Sequence, residues 1–437
     1  MSTPDTIFAP ATPIGGAICM LRVSGPKSAA ALLALSGKDL LKHPRRMMRV
    51  LLTQDGRQLD DAMAVCYPAP NSYTGEDMAE VFCHGGPAVV RAVQNALLSL
   101  GLRPAEPGEF TRRAFLNGKM DLVEAEAVMD LIQSTAERAA DAAMEQLQGR
   151  LSREIGDVET LLTDALSGIS AAIDYPEELE EDVFSALPQQ LEQAKSALSG
   201  LISQGKTGRV LREGLRVALV GRPNAGKSSL MNALLGFNRA IVTPHAGTTR
   251  DVLEEQLSLD GIPVRLFDTA GLREAEDEAE REGVSRARNA MRNADLVLLL
   301  LDGSTPLSLQ DVALMEETKP AQRILLQTKA DLPTVRDAPE GELPLRISAK
   351  TGEGLDALTD AIRLAAGPVS GAYVTNARHI RALEDALEAI RSAQNALEPD
   401  CMATDIRTAL LSLGAITGSA VDETVISRIF ERFCVGK

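Results

Sequence analysis

The run GRPNAGKS, residues 221–228, carries two glycines five positions apart, then a lysine and a serine. It follows the apolar, strand-like residues 217–220 (VALV) and precedes a helix-like stretch. Those residue types at that spacing suit one piece of chemistry. The glycines let the backbone curl so that successive N–H groups converge on a β-phosphate, Lys227 reaches the β- and γ-phosphates, and the Ser228 hydroxyl binds Mg²⁺. The expectation is a nucleotide-binding loop.

Downstream come GTTRD (247–251), DTAG (268–271), TKAD (328–331) and SAK (348–350), in that order. This is the order of a GTPase domain. Asp331 suits guanine because a carboxylate accepts from both N1–H and the exocyclic amine, donors that adenine does not present together on that edge. Lys329 is expected to lay its stem along the base, and Ser348, Ala349 and Lys350 to offer backbone N–H to the guanine oxygen. Thr328 stands where GTPases usually have Asn. Its shorter reach is expected to weaken guanine affinity while Asp331 preserves specificity.

Leu272 follows Gly271, where many small GTPases place a glutamine that orients the attacking water. Leucine cannot hold a water, so another group must. Glu274, Glu276, Asp277, Glu278 and Glu280 come next, and most of them read as a solvated charged loop. Phosphoryl transfer also demands positive charge near the leaving oxygen. Asn224 could help bind a monovalent cation there, and Arg250 is a rival as an internal arginine finger.

The elements that must position these groups can be read along the chain. Residues 1–117 mix strand-like runs (18–23 and 79–83), a helical run (28–35) and a hairpin turn at Asp55-Gly56, which suggests an α+β domain. Residues 118–208 carry long helical patterns, as in Val123, Ala127, Leu131 and in Leu187, Leu191, Ala194. Residues 209–367 form the α/β GTPase domain, with a hairpin turn at Asp260-Gly261 and a buried parallel strand at 296–301 (LVLLLL). Helical periodicity returns in 368–437. The fold expected is therefore multidomain: an α+β N-terminal domain, a discontinuous helical domain, and an inserted α/β P-loop GTPase domain. Near the end, Val421, Val425, Ile426, Ile429 and Phe433 recur at helical spacing as a buried stripe, and Cys434 follows.

Composition fits a large cytoplasmic enzyme without a membrane span. The 437 residues are enough for two or three domains with real cores. The start, MSTPDT, lacks the basic and apolar regions of a secretion signal. Five cysteines without metal-ligand spacing read as reduced thiols. A net charge of −16 argues against a broad nucleic-acid surface.

Blocks outside the nucleotide motifs complete a pattern: DTIFAPATP (5–13), LRVSG (21–25), NSYTGED (71–77), EPGEFTRRAFLNGKMDL (106–122) and FCVGK (433–437). Over essentially its full length the chain resembles the MnmE (TrmE) family of tRNA-modification GTPases. The resemblance implies a K⁺-activated GTPase and a homodimer whose nucleotide domains pair across GTP. It implies nucleotide contacts at Asn224, Ala225, Gly226, Lys227, Ser228, Ser229, Thr243, Pro244, His245, Ala246, Gly247, Thr248, Thr249, Asp268, Thr269, Ala270, Gly271, Thr328, Lys329, Asp331, Ser348, Ala349 and Lys350. Ser228 and Thr249 match Mg²⁺ ligands, and Asn224, Thr243, His245 and Thr248 match the K⁺ site. Glu280 matches the glutamate that orients the hydrolytic water.

The same resemblance implies a 5-formyl- or methylene-tetrahydrofolate site at Arg22, Glu80, Lys119 and Lys437. Arginine and lysine suit the ligand's carboxylates, and Glu80 suits the pterin's amino and ring N–H groups. In the family the residues matching FCVGK are a functional signature, which raises a chemical role for Cys434. With an FAD-dependent MnmG-type partner, as a heterotetramer, such a protein modifies carbon 5 of the wobble uridine in certain tRNAs. The alternative is a regulatory switch GTPase in ribosome assembly or stress signalling.

Overall fold

The computed structural model describes residues 5–237, 254–268, 292–335, 342–367, 371 and 373–436. The chain divides into two compact units, Met1–Met129 with Leu411–Lys437, and Asp130–Leu410.

In the first unit the strands β1 (Ile7–Pro10), β2 (Ile18–Ser24), β3 (Met48–Gln54), β4 (Arg57–Tyr67), β5 (Met78–His84) and β6 (Arg103–Pro104) form one sheet in the order β3-β4-β5-β2-β1-β6. Its neighbours are antiparallel except β1 and β6, which run parallel. The β3–β4 turn is the Asp55-Gly56 pair, both at positive φ (50° and 77°), the geometry a two-residue hairpin needs. Alternate residues of the strands, such as Leu21, Val23, Val50, Leu52, Ala79 and Val81, point into a core shared with the helices Ser28–Ser36 and Pro87–Ser99. The run expected to be helical at 28–35 is thus a helix one residue longer.

The terminal helix, Glu423–Phe430, belongs to this same unit. It starts at Asp422, whose side chain accepts from the Thr424 amide. Ile426, Phe430 and Phe433 join Leu122, Ala125 and Met129 in a small core, with Val421 and Ile429 partly buried against it. The expected stripe is corrected at two points. Val425 is exposed, and Phe430, absent from the expected stripe, is buried in this core together with Phe433, which lies beyond the last helical residue.

In the second unit the strands β7 (Leu215–Gly221), β8 (Glu254–Leu259), β9 (Ile262–Asp268), β10 (Leu296–Asp302), β11 (Arg323–Thr328) and β12 (Leu345–Arg346) form a sheet in the order β12-β11-β10-β7-β9-β8. All pairs are parallel except the β8–β9 hairpin, whose turn is Asp260-Gly261. Strand β10 is buried at every position. Leu296, Leu298 and Leu300 face one core, and Val297, Leu299 and Leu301 face another, as a parallel strand covered on both faces requires.

The long helices Arg150–Asp174 and Pro176–Glu213 pack together, and Ala377–Asn395 packs on the second of them. Pro176–Glu213 reaches β7 through Gly214 alone, which sits at φ 84°. The joint is fixed by Asp295, just before β10. Its carboxylate accepts from Arg209 in the helix's last turns (2.5 Å) and from the Arg216 amide in β7 (3.0 Å). At the hairpin turn, the Arg138 amide of the helix Glu137–Leu147 donates to the Gly261 carbonyl. Among the described residues no helix is long and apolar enough to cross a membrane.

Candidate functional site

The phosphate loop leaves β7 at Gly221 and enters the helix Lys227–Phe237. β7 lies between β10 and β9, where the strand order reverses, so the loop opens at the carboxyl end of the sheet where nucleotides bind in open α/β folds. Gly221 is required by space: a Cβ there would stand 2.7 Å from the Leu300 carbonyl oxygen. Asn224 (φ 63°) and Gly226 (φ 93°) take left-handed backbone, which turns the loop. Ala225 is buried in the core and anchors the loop's far side, while Asn224, Ser228 and Ser229 are exposed at its mouth. Lys227 is buried, and its Nζ donates to the carbonyls of Gly221 (2.6 Å) and Arg222 (2.7 Å). Its charge is therefore held over the loop's entrance.

Two contacts brace the loop that sequence reasoning did not find. The Arg222 guanidinium lies 2.8 Å from the fully buried carboxylate of Asp311, which with Ser308 forms the capping box of the helix Leu309–Thr318. The Thr328 hydroxyl, also buried, lies within hydrogen-bond distance of the carbonyls of Ala225 (2.8 Å) and Leu301 (3.2 Å), to which it offers its single proton. The hydroxyl thus ties the end of β11 to the phosphate loop.

The base-binding residues come together at the ends of β10 and β11. Lys329 takes left-handed backbone (φ 59°), and its Nζ lies 2.6 Å from Asp302 Oδ2 at the end of β10. Burial works to raise the Asp302 pKa, but hydrogen bonds from Lys329 and from the Ser304 hydroxyl and amide outweigh it and hold the carboxyl below its ordinary range. Asp331 is exposed, with one oxygen held by the buried Ser348 hydroxyl at 2.7 Å. The Ala330 amide donates to the Ile347 carbonyl and the Thr351 amide to Ser348 Oγ, so TKAD and SAK form one structure. Ala349 and Lys350 lie within it. A carboxylate oriented from one side keeps acceptor capacity for paired N–H donors, as guanine requires.

Asp268 ends β9, whose register sets it opposite Leu219 of β7, two residues before Gly221. Thr243, Pro244, His245, Ala246, Gly247, Thr248, Thr249, Arg250, Thr269, Ala270, Gly271, Glu280 and Lys437 lie outside the described residues, as does the Asp268 side chain.

The first unit holds a second constellation. Arg22 and Glu80 are cross-strand neighbours on β2 and β5, and the guanidinium donates twice to Glu80 Oε1 (3.0 and 2.9 Å). Both side chains are about nine-tenths buried (11% and 9% exposed). Tyr67 donates to the other Glu80 oxygen at 3.2 Å, and Arg22 lies over the rings of Tyr73 (5.0 Å) and Phe110 (5.9 Å). Sequence reasoning assigned Arg22 and Glu80 to opposite ends of a ligand. The structure joins them as one ion pair with an aromatic wall, and Tyr73, inside the NSYTGED block, was the available signal. Lys119 donates to the Pro70 carbonyl (3.1 Å), and its stem packs on Gly75 of that same loop. The pair and its aromatic wall fit a flat, polar heterocycle such as a pterin.

The segment after Phe430 closes on this unit. The Gly108 amide donates to the Cys434 carbonyl, and a Cβ on Gly108 would stand 2.6 Å from the Phe430 carbonyl oxygen. A Cβ on Gly436 (φ 97°) would overlap the Pro10 carbonyl oxygen. The EPGEF, APATP and FCVG blocks, far apart in sequence, thus touch. Cys434 and Cys401 are exposed, whereas Cys19, Cys66 and Cys83 are buried. Burial pushes the Cys66 and Cys83 thiols up to about 11, aided by nearby Asp39 at Cys66 and by Cys19 at Cys83.

A glycine-bounded loop at the sheet's reversal point, a lysine over it and a preorganised carboxylate at the base end define a P-loop nucleotide-binding protein of the GTPase class. Residues 122–434 match the MnmE helical domain family and residues 6–119 the family described as GTP-binding protein TrmE N-terminus. A tRNA modification GTPase MnmE of Heliobacterium modesticaldum is 42% identical, covering 99% of each chain. One from Natranaerobius thermophilus is 40% identical over 100% of each. The chain belongs to the MnmE family of tRNA modification GTPases. Among solved structures, Aquifex aeolicus Era bound to GDP·AlF₄⁻ is 25% identical over 42% of this chain and 67% of that one, with a TM-score of 0.27; it adds nothing to the assignment.

Proposed function

We infer that this chain is a K⁺-activated GTPase that, with an FAD-dependent MnmG-type partner, modifies carbon 5 of the wobble uridine of certain tRNAs. The carbon donor in this reading is a tetrahydrofolate, held by Arg22, Glu80 and Lys119 with Lys437. The observation that carries it is the meeting of two sites in one unit: the buried Arg22–Glu80 pair under Tyr73, and the segment that presents Cys434. A switch acting only through its nucleotide state has no use for either. The homodimer, with nucleotide domains pairing across GTP, belongs to the same reading.

The chain's own residues divide the work. Lys227 and the loop amides bind phosphate, Asp331 and Ser348 select guanine, and Ser228 with Thr249 would hold Mg²⁺. Asn224, exposed at the loop's mouth on a left-handed turn, fits a K⁺ ligand, with Thr243, His245 and Thr248 completing the set. The bound cation would supply the positive charge that phosphoryl transfer needs. Glu280 would orient the water. Two measurements test the reading. GTP turnover should be fast in K⁺ and slow in Na⁺ at matched ionic strength, and equal rates would remove the cation site. Purified protein should bind 5-formyltetrahydrofolate, and Arg22→Ala should abolish that binding; tight binding by the variant would move the folate elsewhere.

A further inference from the structure

The chain is acidic overall, yet residues 38–49 (KDLLKHPRRMMR) hold five lysines and arginines against one aspartate. The segment lies between the helix Ser28–Ser36 and β3, and Lys38, Lys42, His43, Arg45, Arg46 and Arg49 are all exposed. Three of these cations are engaged locally: Lys38 donates to the Arg49 carbonyl, Arg49 pairs with Asp61, and Arg45 donates to the Asn71 carbonyl. Among the described residues, the side chains of Lys42, His43 and Arg46 make no hydrogen bond or ion pair.

Between them Arg45 takes left-handed backbone at φ 61°, a conformation that glycine or asparagine adopts more readily. The turn is held by the Arg45 amide on the Cys66 carbonyl and by the Arg46 amide on the His43 carbonyl. The Arg45 guanidinium donates to the Asn71 carbonyl at 3.0 Å, one residue from the Pro70 carbonyl that takes Lys119. Tyr73 of the same loop faces Arg22. A strained, basic, uncompensated turn is thus fastened to the loop that walls the Arg22–Glu80 site.

We propose that the turn from Lys42 to Arg46 is a phosphate-contact surface for the RNA backbone, positioning a tRNA strand at the Arg22–Glu80 site. This rests on the tRNA-modifying reading above. The charge complements a polyanion, and the segment 38–49 carries no Phe, Tyr or Trp for stacking on bases, so it positions a strand without reading its sequence. A narrow patch is also what a chain of net charge −16 can offer without a broad basic face.

The test is titration of the full-length protein with a fluorescent tRNA anticodon stem-loop at several salt concentrations. The double variant Lys42→Gln/Arg46→Gln should bind about tenfold more weakly at low salt, and the log K against log salt slope should flatten by about 0.9 per lost contact, for every stem-loop sequence alike. The charge-matched control Arg57→Gln/Arg91→Gln, in the same unit, should behave as wild type. Thermal unfolding and GTP turnover confirm that each variant is folded. Wild-type affinity and slope in the folded double variant overturn the proposal. So does unchanged RNA binding with lost binding of the FAD-dependent partner, which would make the turn a protein contact. Failure of the wild-type chain to bind any tRNA would instead overturn the functional reading beneath it.

Discussion

The Thr328 hydroxyl shows how a single substitution in a recognised motif changes its job. It lies between the carbonyls of Ala225 and Leu301, so its removal leaves the loop carbonyl without a partner in a buried place. Thr328→Val keeps the shape and removes the proton. We expect a stability loss of about 1–3 kcal/mol and weaker binding of GTP and GDP alike, because the phosphate loop loosens while Asp331 still reads the base. A loss confined to guanine over inosine nucleotides, measured by equilibrium titration, would mean that Thr328 touches the base after all.

The thiols make a second residue-scale prediction. Brief alkylation of the native protein at neutral pH should label Cys434 and Cys401 and spare Cys19, Cys66 and Cys83, as read by peptide mass spectrometry. Labelling of Cys83 before Cys434 would contradict the packing. Most of the nucleotide site was legible at this scale because its motifs are local: each short run fixes its own turn, and the order of runs fixes the sheet. The Thr328 contact was not legible because its partner, Ala225, is 103 residues away. The pairing of Arg22 with Glu80 was not legible for the same reason, since a side chain's type gives its chemistry and not its neighbour across a sheet.

At the scale of elements, the closing segment is the feature that periodicity could not supply. A helix with an apolar stripe was expected near the end, and it is there. What it packs on was not legible, since its partners Leu122, Ala125 and Met129 lie about 300 residues earlier and no local rule links them. The seam is tight at Gly436, where both positive φ and the Pro10 carbonyl exclude a side chain. Gly436→Ala should therefore lift the segment, lower stability by about 1–3 kcal/mol, and abolish wobble-uridine modification while GTP turnover persists. Nucleoside mass spectrometry on a complemented strain reads the first effect and phosphate release the second. Full modification by the variant would show that the segment's seat is not needed.

At the scale of the second unit, nucleotide and helices are joined by short, stiff connections. β7 runs from the single-residue link at Gly214 to the phosphate loop, and β10 follows Asp295 directly and ends at Asp302, which holds the base-end lysine. Each strand spans about 20 Å, and β10 is buried throughout. Asp295→Ala should leave GTP affinity and turnover within about twofold but uncouple them from the helices, at a stability cost of about 1 kcal/mol, since Arg209 is a third exposed. Hydrogen exchange in the helix Pro176–Glu213 should then stop responding to GDP·AlF₄⁻. An undiminished response would place the joint elsewhere.

The seam between the ends of the first unit has a consequence for how the protein is made. Leu122, Ala125 and Met129 leave the ribosome early, but the phenylalanines that cover them come only after residues 130–410 have been synthesised. Until then the unit carries an open apolar patch, and any chain that stops short keeps it. We expect a chain truncated before Phe430 to be cleared by proteases faster than the full-length protein, even though its nucleotide domain is whole.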